Sequence, residues 1–491
     1  MTGLKRYATY LVLLTSYLFS SCGVQQQLSR SAKETVLQQP VFKAAHVGIS
    51  IYEPATGKYW FNYQGDKYFV PASNTKIPTC YAAMKYLGDS LVGLKYGIPV
   101  EKGYNEKVIV IQPTGDPTYL HPDYKSQPVN VFFEANFMNK SKEAGWMDTI
   151  WKDERWGSGW GWTDYEQYYM VERNSFPVFG NVIEIKLNDI ESRNATAEDM
   201  LLGRKLKLFK TNNPFFDTIV NNISYLQNTS RKQYAQSKIF WKLTRGIGNN
   251  GFGVEKSVEP FTSKTMPFVT YGITTAMEFF EYTYQKKVGY VFPAERKNKF
   301  VYECSYCDFG YFTIEKWHKI HSQPTDSLLK PMMHRSDNFF AEQSLLMVSN
   351  ELLGLMNDEK IIDTLLKTDF KDLPQKPRWA DGSGLSRYNL FTPQDMVAIL
   401  NKMKKEFGME RIKVIFPTGG EGTISSYYKQ DAGFIYGKTG TLSGVVAFSG
   451  FLYTKKGKLL IFSTLINNHQ GSATDIRRAI ENFLQGVRSK Y

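Results

Sequence analysis

The 491-residue sequence holds only four cysteines and six histidines, and neither set is spaced for a structural zinc site. Cys304-Ser305-Tyr306-Cys307 followed by His318-Lys319-Ile320-His321 invites that reading. Yet the gap between the pairs, and the two residues between the histidines, are both shorter than in such modules. In an oxidising compartment a Cys304–Cys307 disulfide is favoured instead, and Cys80 reads as a buried small hydrophobe. No metal and no cofactor is expected. The sequence also lacks Gly-x-Ser-x-Gly, which ranks a Ser-His-Asp hydrolase last even though His334 stands close to Ser336. No run of 18 or more apolar residues follows the leader, so no membrane span is expected. RNP-like aromatic motifs and long basic runs are absent, which argues against nucleic acid as the partner of a chain with net charge +13. No internal repeat is evident.

What is present is globular in character. Hydrophobic residues at 42% and charged residues at 22% do not describe a disordered chain, and the length exceeds one ordinary core, so two or more domains are expected. Lys5-Arg6, an apolar stretch from Tyr7 to Phe19 and Ser20-Ser21-Cys22-Gly23 form an export leader; a cysteine after small residues resembles a lipobox, which implies a lipid anchor on Cys22. The positive charge, +11 once Lys5 and Arg6 are removed, suits cell-wall polymers or anionic lipid. Residues 23–40 are polar and read as a flexible tether.

Further on, His46 to Glu53 and Lys58 to Tyr63 read as a hairpin. The stripe Ile77, Cys80, Met84 and Leu87 predicts a helix ended by Gly88. Lys107 to Ile111 reads as a strand before the turn Gly115-Asp116-Pro117-Thr118. Trp151 to Tyr169 is crowded with tryptophan, tyrosine and glycine; an aromatic packing unit is favoured there over a carbohydrate-stacking surface. Phe339 to Leu353 is helical in character. Thr392-Pro393-Gln394-Asp395 supplies the cap of a helix with the stripe Met396, Ile399, Leu400, Met403 and Phe407. Leu442 to Tyr453 and Lys458 to Ile466 read as hairpin strands, and Asp475 to Gln485 as an amphipathic helix.

The chemistry is organised around Val70-Pro71-Ala72-Ser73-Asn74-Thr75-Lys76. A serine hydroxyl is nearly inert at neutral pH and needs a base within hydrogen-bond reach. Residues three apart on a helix share a face, so Lys76 falls beside the Ser73 hydroxyl. Ser-x-x-Lys alone means little, since roughly two or three matches arise by chance in a chain this long, and Ser426-Tyr427-Tyr428-Lys429 is such a decoy. The weight comes from Ser336-Asp337-Asn338 and Lys438-Thr439-Gly440, which follow in order; together the three coincide by chance about one time in a hundred. Lys76 takes the proton from Ser73 and Ser336 relays it to the departing amine. Asn338 orients the peptide beside Asp337, and Lys438 with Thr439 offers a cation and a hydroxyl to a terminal carboxylate. Gly440 leaves room for substrate along the strand edge. The backbone N–H groups of Ser73 and Thr441 form an oxyanion hole. Pro78, five residues after Ser73, predicts an irregular start to the helix.

These motifs resemble those of the class C low-molecular-mass penicillin-binding proteins, the D-alanyl-D-alanine carboxypeptidase/endopeptidase family. Gly115 to Thr118, Gly161-Trp162-Thr163-Asp164-Tyr165, Asp381-Gly382-Ser383-Gly384-Leu385-Ser386-Arg387, Pro417 to Thr423 and Lys438 to Gly444 extend the similarity over about residues 45–485. The resemblance implies an α/β (α+β) catalytic domain of the β-lactamase/transpeptidase type, an antiparallel sheet flanked by helices and interrupted by inserted domains. The expected layout is leader 1–22, tether 23–40, catalytic segments 41–90 and 316–491, and inserts over 91–315. The resemblance further implies a serine hydrolase that cleaves peptidoglycan stem peptides and is acylated by β-lactam antibiotics at Ser73, while the leader implies an exported, periplasmic, membrane-anchored protein. A serine β-lactamase and a catalytically silent wall-binding protein are the alternatives.

Overall fold

A computed structural model describes residues 23, 25–103, 107–187, 209–211, 213–220, 224–225, 241–256, 263–296, 299–304 and 311–491. The chain divides into two compact units, one of residues 1–85, 329–337 and 362–491, the other of residues 86–328 and 338–361.

In the first unit five strands form one sheet in the order Ile435–Leu442, Val445–Tyr453, Leu459–Asn467, His46–Glu53 and Lys58–Tyr63, antiparallel throughout. The central strands are buried along nearly their whole length, so both faces of the sheet must be covered. Side-chain alternation sorts the two faces. Val47, Ile49 and Ile51 join Phe448 and Phe462 in a core with Ile480, Phe483 and Leu484 of the C-terminal helix Ala473–Lys490. Gly48 points the other way, where an added Cβ would meet Phe69 and Pro393. The α/β class, with an antiparallel sheet between helices, is as expected. Pro393–Ile415 begins with the capping box read from the sequence: Asp395 N–H donates to Thr392 Oγ1 at 3.0 Å and Thr392 N–H to Asp395 Oδ2 at 3.1 Å. It runs beyond the expected stripe through a kink at Gly408, whose φ is +74°.

The tether is a correction. Residues 25–32 are helical and continue as a π-helix over Lys33–Leu37. Leu28, Ala32 and Val36 are buried against the C-terminal helix. Three apolar residues four apart make one helical face; the polar residues between them hid it. Cys22 and the leader lie outside the described residues.

The second unit carries a six-stranded mixed sheet in the order Lys299–Cys304, Val288–Arg296, Glu143–Trp146, Val108–Pro113, Ser90–Gly97 and Trp317–Pro324. Its core is aromatic, with Phe133 edge-on to Phe280 and Trp146 edge-on to Phe176. Trp317–Pro324 pairs antiparallel with Ser90–Gly97 at one edge of this sheet. His318 stacks on Tyr96 and His321 Nδ1 lies 3.0 Å from Ser90 Oγ, so both histidines have roles in that edge. Cys307, and with it the expected disulfide, lies outside the described residues. Cys80 is buried, as expected. The stretch from Trp151 to Tyr169 is not the packing unit anticipated: Trp162 is 69% and Tyr168 68% exposed. Density of aromatic residues alone does not produce burial when no apolar stripe of regular period accompanies it.

Candidate active site

Ser73 sits in a 3₁₀ turn, Ala72–Thr75, that runs directly into the helix Lys76–Tyr86. The Lys76 N–H donates to the Ser73 carbonyl, and Lys76 Nζ lies 3.1 Å from Ser73 Oγ. Pro78 therefore occupies the first turn of the α-helix, where N–H groups lack intrahelical partners and proline is tolerated; the irregular start is the 3₁₀ turn. Ile77, Cys80, Met84 and Leu87 are all buried, and Gly88 follows with φ +69°. Ala72 is held at φ +48°, an unfavourable conformation for a residue with a Cβ, and the surroundings explain its persistence.

Those surroundings come from a loop to which the sequence assigned no role. Lys76 is fully buried, and its Nζ also donates to the Ser383 carbonyl at 2.8 Å, while Thr79 Oγ1 donates to the Gly382 carbonyl at 2.7 Å. Asp381 ties this Asp-Gly-Ser-Gly-Leu-Ser-Arg loop together, accepting N–H bonds from Gly384 at 2.7 Å and Ser386 at 2.6 Å and one from Asn389 Nδ2 at 2.8 Å. Gly384 has φ +84°, and a Cβ there would stand 1.9 Å from the Ala72 carbonyl oxygen. Only glycine lets the loop press so closely on the Ser73 turn.

Lys438 approaches from the edge strand Ile435–Leu442. Its Nζ donates to Ser336 Oγ at 2.9 Å and to the Thr439 carbonyl at 2.8 Å. The side chain is fully buried; desolvation, with Lys76 as a like-charged neighbour, pushes its pKa well below the ordinary lysine value. The two catalytic halves are joined where Asn74 Nδ2 donates to the Lys438 carbonyl at 2.8 Å. Ser336 adopts φ +62°, a second strained position at the site. His334 is held below its usual pKa, chiefly by burial, and its Nε2 has no hydrogen-bond partner among the described residues. The hydroxyl of Ser336 is engaged by Lys438 and not by that histidine.

Alternation along the strand buries Lys438 and leaves Thr439 half-buried and Thr441 exposed. Thr439 Oγ1 bonds Thr423 Oγ1 at 2.7 Å, and Thr441 Oγ1 accepts from Arg477 at 2.8 Å. Gly440 makes room for the nucleophile's own turn: a Cβ there would lie 2.6 Å from the Pro71 carbonyl and 3.1 Å from the Ser73 nitrogen. Asp337 faces Arg335 at 3.8 Å. Asn338 opens the helix Asn338–Leu353 of the second unit, and its Nδ2 donates to the Tyr169 carbonyl at 3.0 Å. Among the described residues no cluster of histidine, cysteine and carboxylate side chains is arranged to hold a metal ion. Asn74, Thr423, Ser383 and Arg477 were given no role, because a hydrogen bond between residues tens to hundreds of positions apart leaves no local pattern; the Asp381 to Arg387 and Pro417 to Thr423 blocks had been marked only for their resemblance.

A D-alanyl-D-alanine carboxypeptidase from Actinomadura sp. (strain R39) is 24% identical over 486 residues, covering 93% of this chain and 84% of its own. Penicillin binding protein 4 from Haemophilus influenzae superposes with a TM-score of 0.65 at 18% identity, over 94% of this chain and 98% of that one. The same protein complexed with a β-lactam gives a TM-score of 0.62 at 18% identity, over 95% and 99%. These structural likenesses speak to the fold. The profile of the D-Ala-D-Ala carboxypeptidase 3 (S13) family matches residues 29–214 and 315–487, well over half of the chain, and the protein belongs to that family.

Proposed function

We propose that the protein is a serine-type D-Ala-D-Ala carboxypeptidase/endopeptidase acting on peptidoglycan stem peptides through an acyl-enzyme on Ser73. The observation that carries the reading is the 3.1 Å contact between Lys76 Nζ and Ser73 Oγ inside a site where Lys76 is wholly buried. Lys76 accepts the Ser73 proton as Oγ attacks the carbonyl carbon of the penultimate D-Ala. The oxyanion is met by the N–H groups of Ser73 and Thr441, donors whose loss costs about 2.7–4 kcal/mol in comparable sites. As the C–N bond breaks, Ser336, hydrogen-bonded to Lys438, passes a proton to the departing amine; Asn338 orients the peptide. Water then attacks the ester and restores Ser73. A β-lactam enters the same first step, its ring C–N bond opening as Ser73 is acylated. The leader supports an exported, periplasmic enzyme, with Cys22 as the lipid-bearing residue.

Fluorescent penicillin tests this. Wild type acquires a stable covalent label, Ser73→Ala none, and Lys76→Ala labels about 10²–10⁴ times more slowly. Rapid release of the label would indicate a β-lactamase, absence of label an inert binder. Labelling of Lys76→Ala at the wild-type rate would remove Lys76 as the base. Purified muropeptides then separate the two peptidase activities: monomers lose D-Ala, or cross-linked dimers split.

A further inference from the structure

The residue released by this reaction carries a carboxylate on the carbon beside the new amine, whether it is a terminal D-Ala or the diaminopimelate of a cross-link. Lys438 is poorly placed to meet that charge, being buried and committed to Ser336 Oγ and the Thr439 carbonyl. The outward face of the same strand, bearing Thr439 and Thr441, has a different cation. Arg477, in the second turn of the C-terminal helix, donates from Nη2 to Thr441 Oγ1 at 2.8 Å. Independently, Arg477 and Thr439 together line a small pocket with Ile424, Tyr427 and Ala447. Among the described residues Arg477 forms no ion pair, although its neighbour Arg478 is bonded to Glu481 at 2.6 Å. A guanidinium has five donors in a planar fork that matches a carboxylate, and Thr441 engages one of its nitrogens.

We propose that Arg477, held in place by Thr441, reads the carboxylate of the leaving residue and sets the preference for substrates that carry one. This rests on Ser73 being the nucleophile. The test compares diacetyl-Lys-D-Ala-D-Ala with its C-terminal amide for wild type, Arg477→Ala and Arg477→Lys, with melting temperatures to confirm folding. For the acid, Arg477→Ala lowers kcat/KM about 10- to 100-fold, the worth of a hydrogen bond to a charged group, mostly through KM. Its kcat/KM for the amide is unchanged, and Arg477→Lys recovers part of the loss. An equal loss on acid and amide, or no loss on the acid, overturns the proposal, as does a wild type that cleaves both equally well. If the wild type cleaves neither and takes no penicillin label at Ser73, the proposed reaction itself falls, and this assignment with it.

Discussion

Two buried cations in this molecule are held in opposite ways. In the first unit Lys438 has a hydroxyl and a carbonyl as hydrogen-bond partners and another lysine as its charged neighbour. In the second, Arg173 is ringed by carboxylates: Asp358 at 2.6 Å, Asp153 at 3.0 Å and Glu342 at 3.4 Å, with the Glu154 carbonyl also at 3.0 Å. The pKa shifts follow the surroundings, Lys438 far down and Arg173 up. A cation destabilised in this way gives up its proton readily and can serve a relay; one neutralised by carboxylates stays charged and holds segments together. Arg173 does the latter, joining Asp153 and its own segment to the helix Asn338–Leu353 through Glu342.

The largest expected effects set these two centres apart. Lys438→Met removes the ammonium but keeps the bulk; penicillin acylation should fall about 10²–10⁴-fold, the range of a lost acid–base group, while the melting temperature stays level or rises because a desolvated cation has gone. Arg173→Met should do the reverse, losing about 3–5 kcal/mol of stability because buried carboxylates are left without their cation. Thermal unfolding and labelling rates on the two variants check both halves, and a Lys438→Met protein that melts far below wild type would break the contrast.

Smaller is the effect of pH on stability. Between the depressed pKa of folded Lys438 and the ordinary lysine value, the unfolded chain binds the extra proton, so wild type gains stability over Lys438→Met as pH rises through that window, by at most about 1.4 kcal/mol per pH unit. Asp153 has the opposite sign: burial raises its carboxyl to about 6, so the folded state binds the extra proton and stability from this group is lost as pH rises through about 6. Denaturant unfolding of wild type, Lys438→Met and Asp153→Asn across pH reads both slopes. The least effect is expected from Pro78→Ala, within about 1 kcal/mol in melting experiments and without change in labelling rate, because the lost ring sits in a first helical turn.

Much of the fold was legible because its signals are local. The Thr392/Asp395 capping box, the hairpin strands and the stripe from Ile77 to Leu87 each lie within a few turns of chain, where periodicity and cap chemistry act directly. Trp162 and Tyr168 were misjudged because burial depends on what lies opposite, and the helix carrying Leu28, Ala32 and Val36 was passed over because its core partner, the C-terminal helix, is more than 400 residues away.

The sequence by itself determined which side chains could do the chemistry: a serine with a lysine one turn on, a second serine, an asparagine and a second lysine, in a fixed order. Only the tertiary structure decided what each one faces. Lys438 turns inward to Ser336 while Thr441 turns outward to Arg477, and the Gly384 loop presses on the Ser73 turn; these follow from strand alternation and from close approach of distant backbone, which chain order does not encode.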